Sequence, residues 1–127
     1  MTIVLDSWAV IRYLDDEAPA AQAVADLLEE QRPSISWINL GEVASVIQRR
    51  HGEDAATTTV RDLLDVMEGL LPKEVDVLAA ARIKAQHPMA YADAFAAATA
   101  IDRDATLWTG DAELLVEGAP WNWHDLR

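Results

Sequence analysis

The sequence predicts an α/β fold, in which helices cover both faces of a mostly parallel sheet of four to five short strands. The first observation is at residues 2–6, where Ile3, Val4 and Leu5 form an apolar run that ends on Asp6. A similar run at residues 105–108 is followed closely by Asp111. Helical patterns separate such runs along the chain, which is the order typical of parallel sheets.

Length and composition indicate one domain spanning residues 1–127. About half of the residues, 51%, are hydrophobic, so the chain has enough apolar surface to form a core. The sequence contains no cysteine, which excludes a disulfide framework, thiol catalysis and thiolate metal sites. No apolar run approaches the ~18 residues of a membrane span, and the start of the chain does not resemble a signal peptide. We therefore expect a cytoplasmic protein with no membrane association.

The formal net charge of −12 is large for a chain of this size. Taken alone, it argues against nucleic-acid binding, because affinity for phosphate backbones comes mostly from Lys and Arg. A cluster of acids that binds metal, or a basic partner chain, would reconcile this charge with such a function. A saline cytosol would also account for an acidic chain in which only two of ten cations are Lys.

The predicted elements follow from periodicity, capping residues and breakers. Strands are expected at residues 2–6, 34–37, 74–77, 105–108 and 121–124. Helices are expected at residues 7–14, 19–31, 39–52, from 54–59 to before Pro72, 78–87, 91–101 and, briefly, from Asp111. Asn39 is the expected cap of the third helix, and Leu78, Ala81 and Ala85 are expected to share the buried face of the fifth.

Four acids are expected at the carboxyl edge of this sheet, each near the start of a helix. They are Asp6, Glu42, Asp93 and Asp111. Any one of them alone is explained by the helix dipole, which an acid in the first turn complements by about 0.3–1 kcal/mol. The carboxyl ends of parallel strands are also where α/β folds bind ligands, so the four can converge there.

Convergence of these acids would need a compensating charge. Two carboxylates about 4 Å apart repel by about 4 kcal/mol at an effective dielectric constant near 20. A hard divalent cation is the natural compensator, and Mg²⁺ prefers oxygen ligands and bridges carboxylates to phosphate. The chemistry that follows is metal-assisted phosphoryl transfer or phosphodiester hydrolysis.

Short motifs around these acids resemble those of PIN-domain ribonucleases, in the same order and over nearly the whole chain. The residues of these motifs are most similar to those of VapC toxins from toxin–antitoxin pairs. The motifs are Val4-Leu5-Asp6-Ser7, Asn39-Leu40-Gly41-Glu42-Val43, Tyr91-Ala92-Asp93-Ala94-Phe95, Ala97-Ala98-Thr99-Ala100 and Thr109-Gly110-Asp111. Residues 87–90 depart from the pattern, because they lack the Ser or Thr that often caps the helix of Asp93.

The resemblance implies a PIN-like domain with endoribonuclease activity that depends on Mg²⁺ or Mn²⁺. Asp6, Asp93 and Asp111 match the metal ligands, and Glu42 completes the site or orients the attacking water. Ser7 and Thr109 match hydroxyls that bond the acids or waters, and Asn39 matches a polar residue near the site. The resemblance also implies an RNA substrate, a VapB-like antitoxin, a homodimer, and products with 5′-phosphate and 3′-hydroxyl ends.

Two other interpretations stay open from the residues alone. The acids could line a groove of a non-catalytic binding module that captures a basic segment of a partner. A phosphohydrolase of the haloacid dehalogenase type is disfavoured, because it needs a second aspartate two residues after the first, where this chain has Trp8. The three histidines, His51, His87 and His124, are scattered and are expected to have surface or packing roles.

Overall fold

The computed structural model describes residues 1–127 and contains one parallel sheet with six helices. The strands are β1 (Ile3–Leu5), β2 (Ser34–Ser36), β3 (Glu68–Leu70), β4 (Thr106–Thr109) and β5 (Asn122–Asp125). The helices are α1 (Ser7–Leu14), α2 (Ala20–Glu30), α3 (Trp37–His51), α4 (Glu53–Val66), α5 (Glu74–Gln86) and α6 (Tyr91–Asp102). The α/β fold with a parallel sheet is therefore confirmed.

Strand β1 lies at the centre of the sheet, whose order is β3-β2-β1-β4-β5. Val4 is opposite Ser34 of β2 on one side and Leu107 of β4 on the other. All three residues of β1 are buried, as expected for a strand covered on both faces. Because every strand pair is parallel, the carboxyl ends of β1, β2 and β4 meet at one edge.

The side chains of β1 alternate between two hydrophobic cores. Ile3 and Leu5 pack in the first core with buried residues of α1 to α4. Val4 packs in the second, which includes the buried alanines of α6. Eight consecutive residues of α6, from Asp93 to Ala100, are buried. Small side chains allow this helix to approach the sheet closely.

The prediction of one long helix before Pro72 is wrong, because α4 ends at Val66 and β3 follows it. Gly69 of β3 lies against neighbouring side chains, and an added Cβ would be 2.9 Å from atoms of both Leu64 and Trp37. Glycine weakens a helix and permits this close approach. Pairing with β2 then makes residues 68–70 an edge strand.

The expected strand at residues 74–77 is also wrong, because these residues form the first turn of α5. The Asp76 carboxylate accepts a hydrogen bond of 2.8 Å from the backbone N–H of Lys73, which closes the start of the helix. The buried face of α5 contains Asp76, Ala80 and Ile83. The predicted face is therefore also wrong, and Leu78 is 52% exposed.

None of the helices combines the length and the apolar composition that crossing a lipid bilayer requires.

Candidate active site

Asp6 is the first acid of the site and lies where β1 passes into α1. It is 1% exposed. Its Oδ1 accepts a hydrogen bond of 2.9 Å from the backbone N–H of Ala9, so Asp6 is the N-cap of α1. Its Oδ2 accepts a short hydrogen bond from the Thr109 hydroxyl at the end of β4. Asp6 thus joins the ends of the two neighbouring strands.

Asp111 is connected to Asp6 through the same threonine. The Thr109 hydroxyl oxygen accepts a hydrogen bond of 3.0 Å from the backbone N–H of Asp111. The short helix expected from Asp111 is not formed, and that prediction is wrong. Instead Asp111 Oδ1 accepts the N–H of Glu113 at 3.0 Å, and the carbonyl of Asp111 accepts the N–H of Leu114 at 3.0 Å. Side-chain bonds of this kind favour a turn over a helix.

Two tryptophans hold the segment after this turn against the last strand. The indole N–H of Trp121 donates to the Leu114 carbonyl at 2.9 Å, and that of Trp123 donates to the Val116 carbonyl at 2.9 Å. Trp121 is buried, and its ring packs edge-to-face with that of His87, with the ring centroids 5.1 Å apart. The turn that carries Asp111 is therefore anchored at its far end by packing and hydrogen bonds.

Glu42 lies on α3 and is held by two side-chain donors. Its Oε1 accepts hydrogen bonds of 2.7 Å from the Ser7 hydroxyl and 3.2 Å from the Asn39 amide. The helix begins at Trp37, and Ser36 is its cap, with a hydroxyl that accepts the Ile38 N–H at 3.2 Å. The predicted capping role of Asn39 is therefore wrong, and Glu42 lies in the second turn rather than the first.

Asn39 is instead a buried connection between two helices of the site. Its Nδ2 also donates to the carbonyl of Ala92 at 3.1 Å, and Ala92 directly precedes Asp93 in the first turn of α6. Asn39 is 0% exposed, and its Oδ1 has no hydrogen-bond partner within the protein. The amide therefore positions Glu42 relative to Asp93 and leaves one buried acceptor unpaired.

The remaining acids form a tight group of carboxylates. Oxygen atoms of Asp93, Asp111 and Glu113 all lie within 4.8 Å of one another. Asp93 is buried, Asp111 is half-buried and Glu113 is exposed. Glu113 was not predicted from the sequence. The signal that could have indicated it is its position two residues after Asp111, which is within reach once the chain turns there.

Burial, together with the charges of neighbouring acids, raises the pKa of both Asp93 and Asp6. Burial is the largest cause that raises the pKa of Asp93 to about 7, followed by the charges of Asp111, Glu42 and Asp6. Burial also raises the pKa of Asp6 to about 7, and the hydrogen bonds from Thr109 and Ala9 oppose this. None of these acids forms a salt bridge with Lys or Arg. The site therefore contains negative charge that the protein itself does not neutralise.

The donor set fits a hard divalent cation. Carboxylate oxygens are the ligands that Mg²⁺ and Mn²⁺ prefer. Two ligands on opposite sides of Mg²⁺ are about 4.2 Å apart, so oxygens within 4.8 Å reach one ion after small side-chain rotations. Asp6 is outside this closest group, but each of its oxygens accepts one hydrogen bond and keeps a free lone pair.

Comparison with known protein families decides the classification. Residues 3–116 match the PIN domain. The chain belongs to the PIN-domain family. No curated protein matches the sequence significantly.

Solved structures similar to this PIN domain include proteins of toxin–antitoxin systems. VapBC2 from Rickettsia felis, solved with a promoter DNA fragment, has a TM-score of 0.80 at 14% identity, with 100% of each chain covered. VapBC-1 from Haemophilus influenzae has a TM-score of 0.76 at 23% identity, with 99% of this chain and 98% of that chain covered. VapC20 from Mycobacterium tuberculosis, a sarcin–ricin loop cleaving toxin, has a TM-score of 0.70 at 20% identity, with 92% of this chain and 95% of that chain covered. At these identities the likeness establishes the shared fold.

The PIN fold brings the seven residues singled out in the sequence to one edge of the sheet. The hydroxyls of Ser7 and Thr109 bond to Glu42 and Asp6, respectively. The charges of Asp6, Glu42 and Asp111 all act on Asp93, so the four predicted acids converge. Their roles in metal binding and catalysis stay predictions. Family membership and this cluster of acids together indicate the nuclease class.

Proposed function

We propose that this PIN domain is a divalent-metal-dependent endoribonuclease and the toxin of a type II toxin–antitoxin pair. The observation that supports the proposal is the convergence of Asp6, Glu42, Asp93, Asp111 and Glu113 at one sheet edge without a Lys or Arg partner. A protein that only needed helix caps would not gather so many acids, because each pair of close carboxylates costs free energy.

Asp6, Asp93 and Asp111 are the proposed ligands of Mg²⁺ or Mn²⁺, with Glu42 completing the site. Glu113 joins them as an exposed ligand, because its carboxylate lies within 4.8 Å of those of Asp93 and Asp111. When bound, the ion lowers the pKa of a water molecule and stabilises negative charge on the phosphate.

Glu42 is the residue best placed to orient the attacking water. Ser7 and Asn39 both donate to Oε1, which fixes the carboxylate plane and leaves Oε2 free to accept a hydrogen bond from the water. Asn39 also restrains the first turn of α6, so Glu42 and Asp93 keep a defined separation. The water gives up a proton as its oxygen bonds to phosphorus, and the 3′ oxygen takes up a proton as its bond to phosphorus breaks. The products would therefore have 5′-phosphate and 3′-hydroxyl ends.

The toxin assignment draws on the sequence motifs and on the partners of similar structures. Several of these are VapBC or FitAB complexes, and one is described as a toxin that cleaves the sarcin–ricin loop. A VapB-like antitoxin is therefore the proposed protein partner. We also propose a homodimer, for which the exposed apolar side chains of Leu71, Val75 and Leu78, in and just before α5, offer a contact surface.

The experiment is cleavage of total RNA by the purified chain, with and without EDTA. Cleavage in Mg²⁺ or Mn²⁺ should disappear with EDTA and return when the metal is restored. Asp93→Asn should abolish cleavage and growth arrest in cells while circular dichroism shows an intact fold. Asp65→Asn is the matched control, because Asp65 is an exposed acid on α4 outside the site.

Full activity of Asp93→Asn, or undiminished cleavage in EDTA, would contradict the proposal. A chain that binds a basic peptide tightly but cleaves no RNA under any metal condition would instead favour the non-catalytic binding module.

A further inference from the structure

Beside the acids lies a groove of about 390 Å³ that the proposed reaction does not use. Its walls include Trp8, Arg12, Gly110 and Arg127, and we call it the arginine groove. We propose that the arginine groove holds the RNA strand next to the scissile bond, with Arg12 and Arg127 on phosphate and the Trp8–Arg12 stack against a base. This inference rests on the proposed function and identifies where its substrate binds.

The position of the arginine groove follows from two chain segments that also carry the acids. Trp8 comes two residues after Asp6, and Gly110 lies between Thr109 and Asp111. The Trp8 ring rests directly on the Gly110 backbone, because a Cβ built on Gly110 would be 2.2 Å from the ring. The groove is therefore bounded by residues that lie close to Asp6 and Asp111 in the chain.

The groove brings two arginine side chains together, beside one acid, Glu17, in a chain that has few cations. Only ten of the 127 residues are Lys or Arg, and the net charge is −12. Arg12 and Arg127 both line this groove. A polyanion that approaches the acids needs such local cations, because long-range attraction to the whole protein is unfavourable.

Both arginines have acidic partners that phosphate can replace. Arg12 pairs with Glu17, and their side chains are 39% and 45% exposed. Arg127 pairs with Asp125 at 3.0 Å, and their side chains are 56% and 37% exposed. Exposed ion pairs contribute little to stability. A phosphate offers the guanidinium group the same paired-oxygen geometry as a carboxylate, so exchange of partners is feasible.

The flat surface of the groove suits a nucleotide base. The Arg12 guanidinium carbon lies 4.7 Å from the centre of the Trp8 ring, so the two planar groups form a stack. Unpaired RNA bases stack on aromatic rings and on arginine planes. Planar stacking next to two phosphate-binding cations favours single-stranded RNA over an acidic peptide, which lacks bases.

The test measures binding of a labelled single-stranded oligoribonucleotide to the full chain in an Asp93→Asn background, where cleavage is absent. The double variant Arg12→Gln, Arg127→Gln should weaken binding at least about tenfold. The slope of log Kd against log salt should fall by about 0.7 for each phosphate that no longer meets an arginine. The matched control is Arg103→Gln, because Arg103 also forms an exposed pair, with Glu68 at 3.6 Å, but lines a different cavity.

A second variant separates stacking from charge. Trp8→Phe keeps an aromatic face and should retain most of the affinity, whereas Trp8→Ala should weaken binding about fivefold or more. Neither variant should change the salt slope, because both arginines still meet phosphate. Thermal denaturation of each variant verifies the fold.

Unchanged affinity and slope in the double arginine variant, or equal losses of affinity in Arg103→Gln, would overturn the inference. Variants that bind RNA normally but are no longer inhibited by an antitoxin would also overturn the inference, because the groove would then bind a protein rather than RNA. Arginine-dependent RNA binding by a chain that never cleaves RNA would refute the proposed function and leave the groove standing. RNA cleavage and binding that do not depend on either arginine would refute the role of the arginine groove and leave the proposed function supported.

Discussion

The acids of the site fall into two groups that differ in whether a side chain donates a hydrogen bond to the carboxylate. Asp6 and Glu42 are tethered acids, each bonded to side-chain donors that come from another element. Asp93, Asp111 and Glu113 are untethered acids, because no side chain donates a hydrogen bond to their carboxylates. The tethered acids have defined orientations, whereas the untethered acids repel one another with no side-chain donor to offset this.

This difference indicates that the two groups of acids have different roles within one cluster. Donors that hold Asp6 and Glu42 also connect β1 to β4 and α3 to α6, so they set the geometry of the site. The untethered carboxylates keep their lone pairs available, which a cation requires of its ligands. Substitutions in each group test this distinction, and their expected effects differ in size.

Loss of an untethered acid should have the largest effect. Asp111→Asn should lower metal affinity and RNA cleavage by more than about a hundredfold, beyond the usual cost of losing a supporting residue. The amide oxygen of the variant can still accept the Glu113 N–H, so the turn should persist. Isothermal titration with Mn²⁺ and a cleavage assay measure both quantities. Activity close to that of the wild type would show that Asp111 is not a ligand.

Loss of a tether should have a smaller effect. Thr109→Val leaves the buried Asp6 without its hydroxyl donor and the Asp111 N–H without an acceptor. We expect metal affinity and cleavage to fall by about 10- to 100-fold. Thr109→Ser restores the hydroxyl and should recover most of both. Full activity in Thr109→Val together with a loss in Thr109→Ser would mean that packing of the methyl group, rather than the hydroxyl tether, is what matters.

Glu113 should contribute less than Asp111, because it is exposed and can move away from the group. Glu113→Gln should weaken metal binding by less than about tenfold, below the usual range for supporting residues. Glu117→Gln is the matched control, since Glu117 is an exposed acid in the same segment. An effect of Glu113→Gln as large as that of Asp111→Asn would place both residues equally close to the ion.

The smallest effect concerns the stability of the metal-free protein. The pKa of Asp93 is raised by burial and by neighbouring acids to about 7, from an ordinary value of 3.8. The folded chain therefore binds more protons than the unfolded chain between pH 4 and 7, and its stability falls as the pH rises through that window. Asp93→Asn removes this charge. In EDTA at pH 8 the variant should therefore have a Tm that is a few degrees higher, at about 2–8 °C for each kcal/mol gained in the free energy of unfolding.

The same comparison at pH 4 supplies the control for this prediction. At that pH Asp93 is protonated in the folded chain and partly protonated in the unfolded chain. The gain in Tm from Asp93→Asn should therefore shrink towards zero. Saturating Mg²⁺ should also stabilise the wild type more than the variant, because only the wild type retains the full set of ligands. A gain in Tm that is independent of pH would point to packing as its cause.

Much of this arrangement could be predicted from local sequence. The apolar run of β1, the alanine-rich α6 and the run that forms β4 are strong patterns, and each defines its element through its own residues. Parallel pairing then places Asp6 and Asp111 at the same edge, so the candidate acids followed from topology. The motifs around them resemble those of the PIN family, whose model matches residues 3–116.

The wrong predictions of secondary structure concern segments whose sequence pattern is weak and whose conformation depends on other contacts. Residues 68–70 are a strand because β2 and Trp37 accommodate Gly69, and neither contact is visible in the residues themselves. Asp111 is followed by a turn because its carboxylate bonds the Glu113 N–H, which competes with a helix.

The sequence by itself determined the α/β class, the family and the four acids Asp6, Glu42, Asp93 and Asp111, because these depend on patterns within short segments. Only the tertiary structure decided which acids are tethered and that Glu113 joins the group. It also decided that Arg127, distant in sequence from Trp8 and Arg12, lines one groove with them. Such features depend on distances between elements, and those distances are set by how the helices pack on the sheet.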